Sequence, residues 1–408
     1  MRKFDINGIR EDFPILGREV YGRPLVYLDN AATAQKPLRV LDSVGMMYRE
    51  LNANIHRGVH YLSEESTALY EAARETVREF VGAESREEII FTSGATAALN
   101  LAAYSLGELL IKEGDNVVVS EMEHHSDIVP WQMVCGRKGA QLRVLPFSDQ
   151  GELLVEKLPG LIDDRTRVLA LTQCSNVLGT CPDVKKAAGI ARERGVIVVV
   201  DGCQGVVHGG ADVRSMGCDL YAFSGHKLYG PTGIGVLYGR RELLDRMPPF
   251  MGGGDMVATV TFEKTTWAEL PLKFEAGTAN YIGAVGMAEA IRYMQEFDPH
   301  DIERHEQALL DAATSALLTV DGLRIYGSMP GKAPIVAFSV DGVHPYDMGM
   351  ILDKQGIAVR TGTHCAEPLM LHYGLTGMVR ASFAMYNTAE EAQTLARGVC
   401  KAAQMLRK

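Results

Sequence analysis

The stretch that decides the fold is Asp183-Val-Lys-Lys-Ala-Ala-Gly-Ile-Ala-Arg-Glu-Arg-Gly-Val-Ile-Val-Val-Val-Asp201. Its first half predicts an amphipathic helix, with Asp183 placed to cap the first turn and Gly195 able to take the left-handed conformation that ends it. Its second half, residues 196–201, is a short aliphatic run of the kind that forms a strand buried on both faces. A helix that leads directly into such a strand is one unit of a mostly parallel sheet covered by helices.

Similar aliphatic runs alternate with amphipathic helical segments throughout residues 86–240, which predicts an α/β fold. The other runs are residues 88–91, 116–120, 141–146, 167–172, 220–224 and 234–238. After Gly283 the pattern changes to long helical segments around the strand-like run Ile335–Val340, which is typical of an α+β domain. We therefore predict a large, mostly parallel-sheet domain of residues 20–295 and a smaller α+β domain that combines residues 1–19 and 296–408.

Composition and charge argue against several classes of partner. The 408 residues carry a formal net charge of -10 and no run rich in Lys or Arg, so neither nucleic acid nor an anionic membrane surface is expected to bind. The longest aliphatic run, residues 196–200, is too short to cross a bilayer, and the first residues form no apolar leader, so we predict a cytoplasmic protein. The seven cysteines are scattered without a C-x-x-C pair, which favours free thiols over a disulfide framework or a zinc site.

Polar residues follow several of the aliphatic runs directly, at the carboxyl ends of the predicted strands. They are Glu123, His124, His125, Asn176, Asp201, Gln204, Ser224, His226 and Lys227. Because ligands of open α/β sheets bind beyond the carboxyl ends of the strands, we predict that these side chains lie at one pocket.

The motif Thr92-Ser-Gly-Ala-Thr96 joins a predicted strand to an apolar helix. Its small residues leave backbone N–H groups free to bind an anion, most simply a phosphate, at the helix N-terminus. A capped turn explains the same residues, so the motif gains weight only from its companions.

Lys227 lies in Phe223-Ser-Gly-His-Lys-Leu-Tyr-Gly-Pro-Thr-Gly-Ile-Gly235, directly after an apolar strand. Most lysines are solvated surface charges, but a desolvated lysine loses basicity and becomes a nucleophile. The G-x-x-x-x-G-K-[ST] order of a nucleotide-binding P-loop is absent, because Leu228 follows the lysine. We therefore predict that Lys227 is a nucleophile.

Asp201 ends a strongly apolar strand, where a carboxylate is costly unless a positive group meets it. A metal site needs further ligands, and Asp201-Gly-Cys-Gln204 offers one carboxylate, so no metal is expected. A protonated pyridine nitrogen fits better, because an acidic partner keeps such a ring an electron sink. The pair His124-His125 suits a structural loop, a proton shuttle or, in our preferred interpretation, a ring facing a cofactor.

At this point the sequence resembles the SufS-like (type II) cysteine desulfurases, which are class V aminotransferases and fold-type I pyridoxal-phosphate enzymes. The resemblance runs nearly end to end. The motifs that carry it are Tyr27-Leu-Asp-Asn-Ala-Ala-Thr33, Asn54-Ile-His-Arg-Gly-Val-His60, Met122-Glu-His-His125, Ser175-Asn-Val-Leu-Gly179, Val200-Asp-Gly-Cys-Gln204, Phe223-Ser-Gly-His-Lys-Leu-Tyr-Gly-Pro231, Phe274-Glu-Ala-Gly-Thr278 and Arg360-Thr-Gly-Thr-His-Cys-Ala366.

The resemblance implies a pyridoxal 5'-phosphate cofactor and a role for each matching residue. Lys227 would hold the cofactor as a Schiff base, Asp201 would pair with its pyridine nitrogen, His124 would stack on the ring and Gln204 would contact the ring oxygen. The phosphate would be held by Ala95, Thr96, Ser224 and His226, and by Thr278 of a second subunit, which implies a homodimer. Arg380 would bind the substrate carboxylate, and the remaining substrate positions are Arg360, Asn176, which also contacts the cofactor, and His56.

Cys365 is the thiol that the resemblance singles out. It would take sulfur from L-cysteine as a persulfide, release L-alanine and pass the sulfur to a SufE-like acceptor protein for iron–sulfur cluster assembly. Its neighbours His364 and Arg360 favour a thiolate, whereas we expect the other six cysteines to be inert small hydrophobes.

Two departures from the family pattern and two alternative functions stay open. Cys203 stands where alanine is expected, and Ala95 stands where threonine is common. A selenocysteine lyase of the same fold, acting on L-selenocysteine, is the first alternative function, and a non-catalytic assembly scaffold is the second. Tyr346 favours a SufE-like acceptor over a zinc-dependent one, although His344 lies nearby.

Overall fold

The computed structural model describes residues 1–407. Within that range no helix is long and apolar enough to cross a membrane. The strands, in chain order, are β1 (Glu19–Val20), β2 (Arg23–Pro24), β3 (Val26–Tyr27), β4 (Ile89–Thr92), β5 (Asn116–Ser120), β6 (Gln141–Leu145), β7 (Thr166–Thr172), β8 (Ile197–Asp201), β9 (Leu220–Ser224), β10 (Gly235–Gly239), β11 (Val257–Val260), β12 (Thr265–Trp267), β13 (Leu323–Tyr326), β14 (Ile335–Val340), β15 (Ile357–Ala358), β16 (Arg360–Gly362) and β17 (Met378–Ser382). The α-helices are α1 (Ile6–Glu11), α2 (Leu38–Glu50), α3 (Tyr61–Val81), α4 (Ala95–Leu110), α5 (Val129–Lys138), α6 (Leu158–Leu161), α7 (Val184–Arg192), α8 (Gly205–His208), α9 (Val213–Met216), α10 (Arg241–Arg246), α11 (Tyr281–Met294), α12 (Pro299–Leu317), α13 (Pro345–Asp353), α14 (Glu367–His372) and α15 (Ala389–Leu406).

Seven strands form the central sheet in the order β4-β10-β9-β8-β7-β5-β6. Neighbouring strands are parallel except where β10 runs antiparallel to β4 and β9, so the predicted mostly parallel sheet and the α/β class are confirmed. The helix predicted in the opening stretch is α7. The Asp183 side chain accepts a hydrogen bond from the Lys186 N–H at its start, and Gly195 has a φ of 67° before β8.

Apolar side chains cover both faces of the central sheet, as the continuous aliphatic runs require. In β8, Val198 and Val200 join the core layer on one face, and Val199 joins the layer on the other. Since both faces are closed to water, polar side chains of these strands can be accommodated at the strand ends.

A second sheet, with the antiparallel order β13-β14-β17-β16, follows in the C-terminal part of the chain. It shares a separate apolar core with α12 and α15, which is the α+β arrangement expected after Gly283. The N-terminal segment joins this part, because β3 pairs in parallel with β15 and Arg10 Nη1 donates to the Tyr386 carbonyl at 2.7 Å. The division into residues 20–295 and residues 1–19 plus 296–408 stays a prediction.

A buried ion pair between Arg74 of α3 and Glu275 ties the first half of the chain to the segment before α11. Arg74 Nη1 lies 2.7 Å from Glu275 Oε1, and Arg74 is fully buried. The same carboxylate accepts hydrogen bonds from the Tyr70 hydroxyl and the Phe91 N–H, each at 2.7 Å. Arg74 Nη1 also donates to the Ile89 carbonyl, so the pair holds β4 from two sides. Such saturation is what makes a buried charge tolerable.

Replacing Glu275 by alanine should lower the free energy of unfolding by about 3–5 kcal/mol, because the Arg74 guanidinium then stays buried without a counter-charge. Urea unfolding followed by circular dichroism measures this loss. The matched control is E269A, which removes an exposed carboxylate from the same segment and should change stability by less than about 0.5 kcal/mol. Equal stabilities of the two variants would contradict the assignment.

Candidate active site

A cavity of about 190 Å³ lies at the carboxyl ends of β7, β8 and β9. It brings together most of the side chains that the sequence predicted, which come from segments more than 280 residues apart. The predicted residues that line it are Ala95, Thr96, His124, Asn176, Asp201, Ser224, His226, Lys227, Arg360, Cys365 and Arg380.

Five predicted residues lie outside this cavity. Glu123 is fully buried, and His125 lies beside the cavity, where its N–H donates to the Cys365 carbonyl at 2.8 Å. Gln204 is buried, and its Nε2 donates to the Ala31 carbonyl at 2.7 Å. Thr278 is exposed and lines a neighbouring cavity. His56 is exposed, and its ring lies 5.7 Å from that of Tyr70.

The register of the central sheet explains how Asp201 and Lys227 meet. Asp201 is the last residue of β8 and lies opposite Thr172 of β7 and Ala222 of β9. Two residues beyond Ala222, β9 ends, and the next three residues form a tight 3₁₀ turn, Gly225–Lys227. The acid and the amine are therefore carried by adjacent strands at the same edge.

Asp201 is only 5% exposed, yet one of its two carboxylate oxygens is free for a ligand. Oδ1 accepts a hydrogen bond from the Cys203 N–H at 2.9 Å, and Oδ2 has no donor among residues 1–407. Burial raises the pKa of the Cys203 thiol, so this cysteine is a neutral neighbour.

His124 presents a neutral ring to the cavity. Burial, together with the charge of Lys227, lowers its pKa to about 4. Its Nδ1 accepts a hydrogen bond from the Ser126 N–H at 3.1 Å, which leaves the ring proton on Nε2. A neutral imidazole of this kind can stack on a flat ring or donate one hydrogen bond.

The N-terminus of α4 and two hydroxyl groups form the end of the cavity suited to an anion. The Ala95 N–H donates to Ser224 Oγ at 2.8 Å, and the Thr96 and Ser126 hydroxyls are 2.8 Å apart. Gly94 has a φ of 149°, and Gly235 approaches so closely that a Cβ on it would lie 2.6 Å from Gly94 Cα. Glycine at both positions therefore lets α4 start directly over the end of β9.

Arg380 is buried on β17 and holds the opposite wall of the cavity. Its Nη1 donates to the Asn176 carbonyl at 2.8 Å, and its Nη2 lies 3.1 Å from Asp29 Oδ1. The other Asp29 oxygen meets Arg360 Nη1 at 3.3 Å. Arg380 Nε is buried without an acceptor in the described chain, so the guanidinium is not fully paired by the protein.

Cys365 is exposed on the segment 363–366, which we call the cysteine loop. His364 and Cys365 have φ values of 54° and 56°, a left-handed conformation that costs non-glycine residues roughly 1–3 kcal/mol each. Two hydrogen bonds hold it in place: Asn176 Nδ2 donates to the His364 carbonyl at 2.9 Å, and the His125 N–H donates to the Cys365 carbonyl at 2.8 Å. The His364 ring is buried, and burial, with Arg380 and Arg360 nearby, lowers its pKa to about 3.

Several residues of the site carried no predicted role. Ala31, Ala32, Ser126 and Cys203 line the cavity, and Asp29 links the two arginines. The motif Tyr27-Leu-Asp-Asn-Ala-Ala-Thr33 contains three of these residues, so the signal was present without an assigned function.

Behind His124, two carboxyl groups are fully buried. Glu123 accepts hydrogen bonds from the Ser120 hydroxyl and the Thr172 N–H, and Asp127 accepts one from Trp131 Nε1. Glu123 Oε2 and Asp127 Oδ2 have no N–H or O–H donor elsewhere in residues 1–407. Burial and the Asp127 carboxyl raise the pKa of Glu123, which favours its protonated form in the folded protein.

The residues of the cavity fit pyridoxal phosphate. A flat ring with a basic nitrogen is matched by the free Asp201 oxygen and the neutral His124 ring. A phosphate is matched by the start of α4 and the hydroxyls beside it, and an aldehyde by the amine of Lys227.

Comparisons with known proteins agree with this chemistry. The Aminotransferase class-V family matches residues 26–395. A cysteine desulfurase of Klebsiella pneumoniae (strain 342) is 49% identical over 404 residues, covering 99% of each chain, and one of Escherichia coli O127:H6 is 48% identical over the same length. The crystal structure of the cysteine desulfurase CsdA (S-sulfonic acid) from Escherichia coli covers 99% of this chain and 100% of that one, with a TM-score of 0.92 and 41% identity. An apo cysteine desulfurase structure from Thermococcus onnurineus NA1 has a TM-score of 0.94, 37% identity and the same coverage.

The chain belongs to the class V aminotransferase family. Its full-length relatives confirm the predicted resemblance to cysteine desulfurases, the cysteine desulfurase function, the fold type and the dependence on pyridoxal phosphate. Neither selenocysteine lyase nor a non-catalytic scaffold is specifically supported by these relatives.

The raised pKa of Glu123 predicts a pH-dependent difference in stability between the wild type and a variant without this carboxyl group. The folded state holds the proton of this group more tightly than the unfolded state does, so the free energy of unfolding should fall as pH rises above about 4.5. E123Q keeps the hydrogen bonds without an ionisable group. It should therefore gain stability relative to the wild type between about pH 5 and about pH 8.

Urea unfolding of both proteins across this pH range measures the difference. The matched control E123A also lacks the ionisable group but leaves the Thr172 N–H without its acceptor, so it should be about 1–3 kcal/mol less stable than E123Q at every pH. A constant offset between E123Q and the wild type would contradict a protonated Glu123.

Proposed function

We propose that this cavity converts L-cysteine to L-alanine and leaves the sulfur on Cys365 as a persulfide. The observation that carries the proposal is that Lys227, Cys365 and Arg380 line the same cavity, so an amine, a thiol and a buried guanidinium face one small substrate.

Lys227, Asp201 and His124 are proposed to hold the ring of pyridoxal phosphate, and Ala95, Thr96, Ser224 and His226 its phosphate. When bound, this cofactor supplies an electron sink for charge that develops at the substrate Cα. Burial, with the charges of Lys227 and Lys36, lowers the pKa of His226 to about 4, so its imidazole is neutral and acts through hydrogen bonding. Gln204, outside the cavity, is proposed to act at its edge through the Ala31 carbonyl that it holds.

The substrate carboxylate is proposed to bind Arg380, whose Nε has no acceptor in the described chain. Arg360 is 48% exposed at its side chain and reaches the same Asp29 from the solvent side, so it is proposed to meet the substrate as it enters. Asn176 connects the proposed carboxylate site to the cysteine loop. Its backbone carbonyl accepts a hydrogen bond from Arg380, and its side-chain amide donates one to the His364 carbonyl.

A proton transfer to Lys227 and a sulfur transfer to Cys365 are the central steps of the proposed reaction. The Lys227 amine accepts the Cα proton of the substrate. Cys365 Sγ then attacks the substrate sulfur, so that an S–S bond forms while the C–S bond breaks. The electron pair of the broken bond stays with the three-carbon fragment, which takes up a proton and leaves as alanine. The exposure of Cys365 favours transfer of the sulfur to a second protein.

The proposed acceptor is a SufE-like protein, and the proposed cellular role is iron–sulfur cluster assembly. Tyr346 is 60% exposed at the start of α13, which packs beside β16 and so lies next to the cysteine loop. His344 Nδ1 accepts a hydrogen bond from the Tyr346 N–H at 3.3 Å, so this histidine caps α13.

A homodimer is proposed because two of the predicted site residues lie outside the cavity of their own chain. Thr278 and His56 are both exposed, and both lie near Glu275. Thr278 and Glu275 line the same cavity. His56 packs on Tyr70, whose hydroxyl donates a hydrogen bond to the Glu275 carboxylate. We infer that this face supplies Thr278, and with it His56, to the site of the second subunit.

C365S should lower persulfide formation and alanine release at least about 100-fold, because the attacking sulfur is lost. The measurement is alanine production from L-cysteine with and without a purified SufE-like protein, and from L-selenocysteine in a parallel arm. C203S is the matched control and should keep the activity. Borohydride reduction should place the cofactor on Lys227 in both variants, which shows that the fold is intact. Unchanged turnover of L-cysteine by C365S would refute the persulfide.

T278A should weaken pyridoxal-phosphate binding about 10- to 100-fold if the hydroxyl of one subunit meets the phosphate of the other. Titration of the cofactor-free protein by absorbance measures the affinity, and light scattering should give twice the mass of one chain. T319A removes an exposed threonine elsewhere and should have no effect. A monomeric mass would contradict the shared site.

A further inference from the structure

Two cysteines lie side by side at a tight turn that follows β7. The turn, residues 175–180, closes through a hydrogen bond from the Ser175 N–H to the Thr180 carbonyl at 2.8 Å. Cys174 and Cys181 flank it directly. Their sulfurs lie 3.4 and 3.5 Å from the same Gly179 carbonyl oxygen, so the two side chains point to one place.

The backbone of this turn brings the two cysteines together. The Ser175 N–H donates to the Thr180 carbonyl, and the Gly179 N–H donates to the Ser175 carbonyl at 3.0 Å, so the chain reverses between Cys174 and Cys181. Because both sulfurs lie within 3.5 Å of one carbonyl oxygen, an S–S bond between them requires rearrangement of this turn only.

The two thiols differ in the way that a reactive pair requires. Cys181 is exposed, whereas Cys174 is 1% exposed in an apolar cluster with Ala31, Ala333 and Ile335. A hydrogen bond from the Cys174 thiol lowers the pKa of Cys181 to about 7 and raises the pKa of Cys174. The exposed sulfur is thus a thiolate for much of the time at neutral pH, and the buried sulfur keeps its proton.

A buried lysine adds positive charge next to the pair. Lys332 is 9% exposed, its Nζ donates to the Gly327 carbonyl at 2.7 Å, and its side chain lies within 3.3 Å of the position that a Cβ on Gly179 would take. Lys332 therefore packs against Gly179, whose carbonyl oxygen both sulfurs contact.

We propose that Cys174 and Cys181 form a reversible dithiol–disulfide site, separate from the active-site thiol Cys365, and that its oxidant is a small-molecule disulfide. This assignment goes beyond the proposed function and does not require it. It replaces the sequence-based expectation that both cysteines are inert.

The exchange proceeds in two balanced steps. The Cys181 thiolate attacks one sulfur of the small disulfide, and the other sulfur leaves as a thiolate, which gives a mixed disulfide on Cys181. Cys174 then gives up its proton and attacks Cys181 Sγ, so that the internal S–S bond forms and the second small thiolate leaves with a proton. The two protein thiols lose two electrons, and the small disulfide is reduced to two thiols.

The site is joined to the active site at short range. Asn176 lies inside the turn and donates to the cysteine loop, and Ala31 packs on Cys174 while lining the active-site cavity. A change in the oxidation state of this pair therefore acts on residues that touch two walls of that cavity.

The test uses the holoenzyme equilibrated in glutathione buffers of increasing oxidising strength, quenched with acid and alkylated. Trypsin cleavage after Arg167 and Lys185 releases one peptide that contains Cys174 and Cys181 and no other cysteine. Mass spectrometry should show this peptide unalkylated and two hydrogens lighter. The equilibrium constant for closing the disulfide, expressed as the effective concentration of one thiol at the other, should be at least about ten-fold higher in the folded protein than in urea.

Cysteine variants distinguish the internal disulfide from mixed disulfides with glutathione. C174S should leave a mixed disulfide with glutathione on the exposed Cys181, and C181S should leave the buried Cys174 reduced. C400S, which removes a half-buried cysteine of α15, should behave like the wild type. A peptide that is doubly alkylated or doubly glutathionylated throughout, or that closes no better when folded than in urea, would overturn the proposal. The readout is independent of turnover, so an inactive enzyme does not affect it.

Discussion

The site depends on one buried guanidinium, because three distant segments of the chain meet on Arg380. It stands on β17, donates to Asn176 beyond β7, and pairs with Asp29 in the segment after β3. A buried charge without partners costs several kcal/mol, so these contacts form together or not at all. The cysteine loop follows from them, since Asn176 in turn donates to the His364 carbonyl. One cation thereby sets the distance between the central sheet and the thiol.

The cavity has the opposite electrostatic character to the protein as a whole. The chain carries a net charge of -10, yet Lys227, Arg360 and Arg380 line the cavity with Asp201 as the only carboxylate in its wall. The histidines add no charge, because burial and the same cations keep His124, His226 and His364 neutral. The local positive potential attracts an anionic ligand into the cavity, although the protein as a whole is negatively charged and repels anions.

The site residues that the central sheet positions could be predicted from the sequence. Residues positioned by contacts between distant segments were harder to predict. Asp201 and Lys227 follow strands in register, so their position could be derived from aliphatic runs alone. Cys365 and Arg380 come from the second sheet, and only the family resemblance pointed to them. Glu123 was placed at the strand end, but its burial beside a second acid was missed, as was the pairing of Cys174, because both depend on a neighbour that spacing does not reveal.

The antiparallel strand β10 has a consequence for the order of assembly. Within the described chain β4 touches the central sheet only through β10, which begins 140 residues after the start of α4. The strand that leads into the anion end of the cavity thus stays an unpaired edge until the ribosome has passed Gly239, and the guanidinium wall arrives last of all with β17. Cofactor capture is therefore a late event in biogenesis, and a nascent chain released early exposes β4 to aggregation rather than to its ligand.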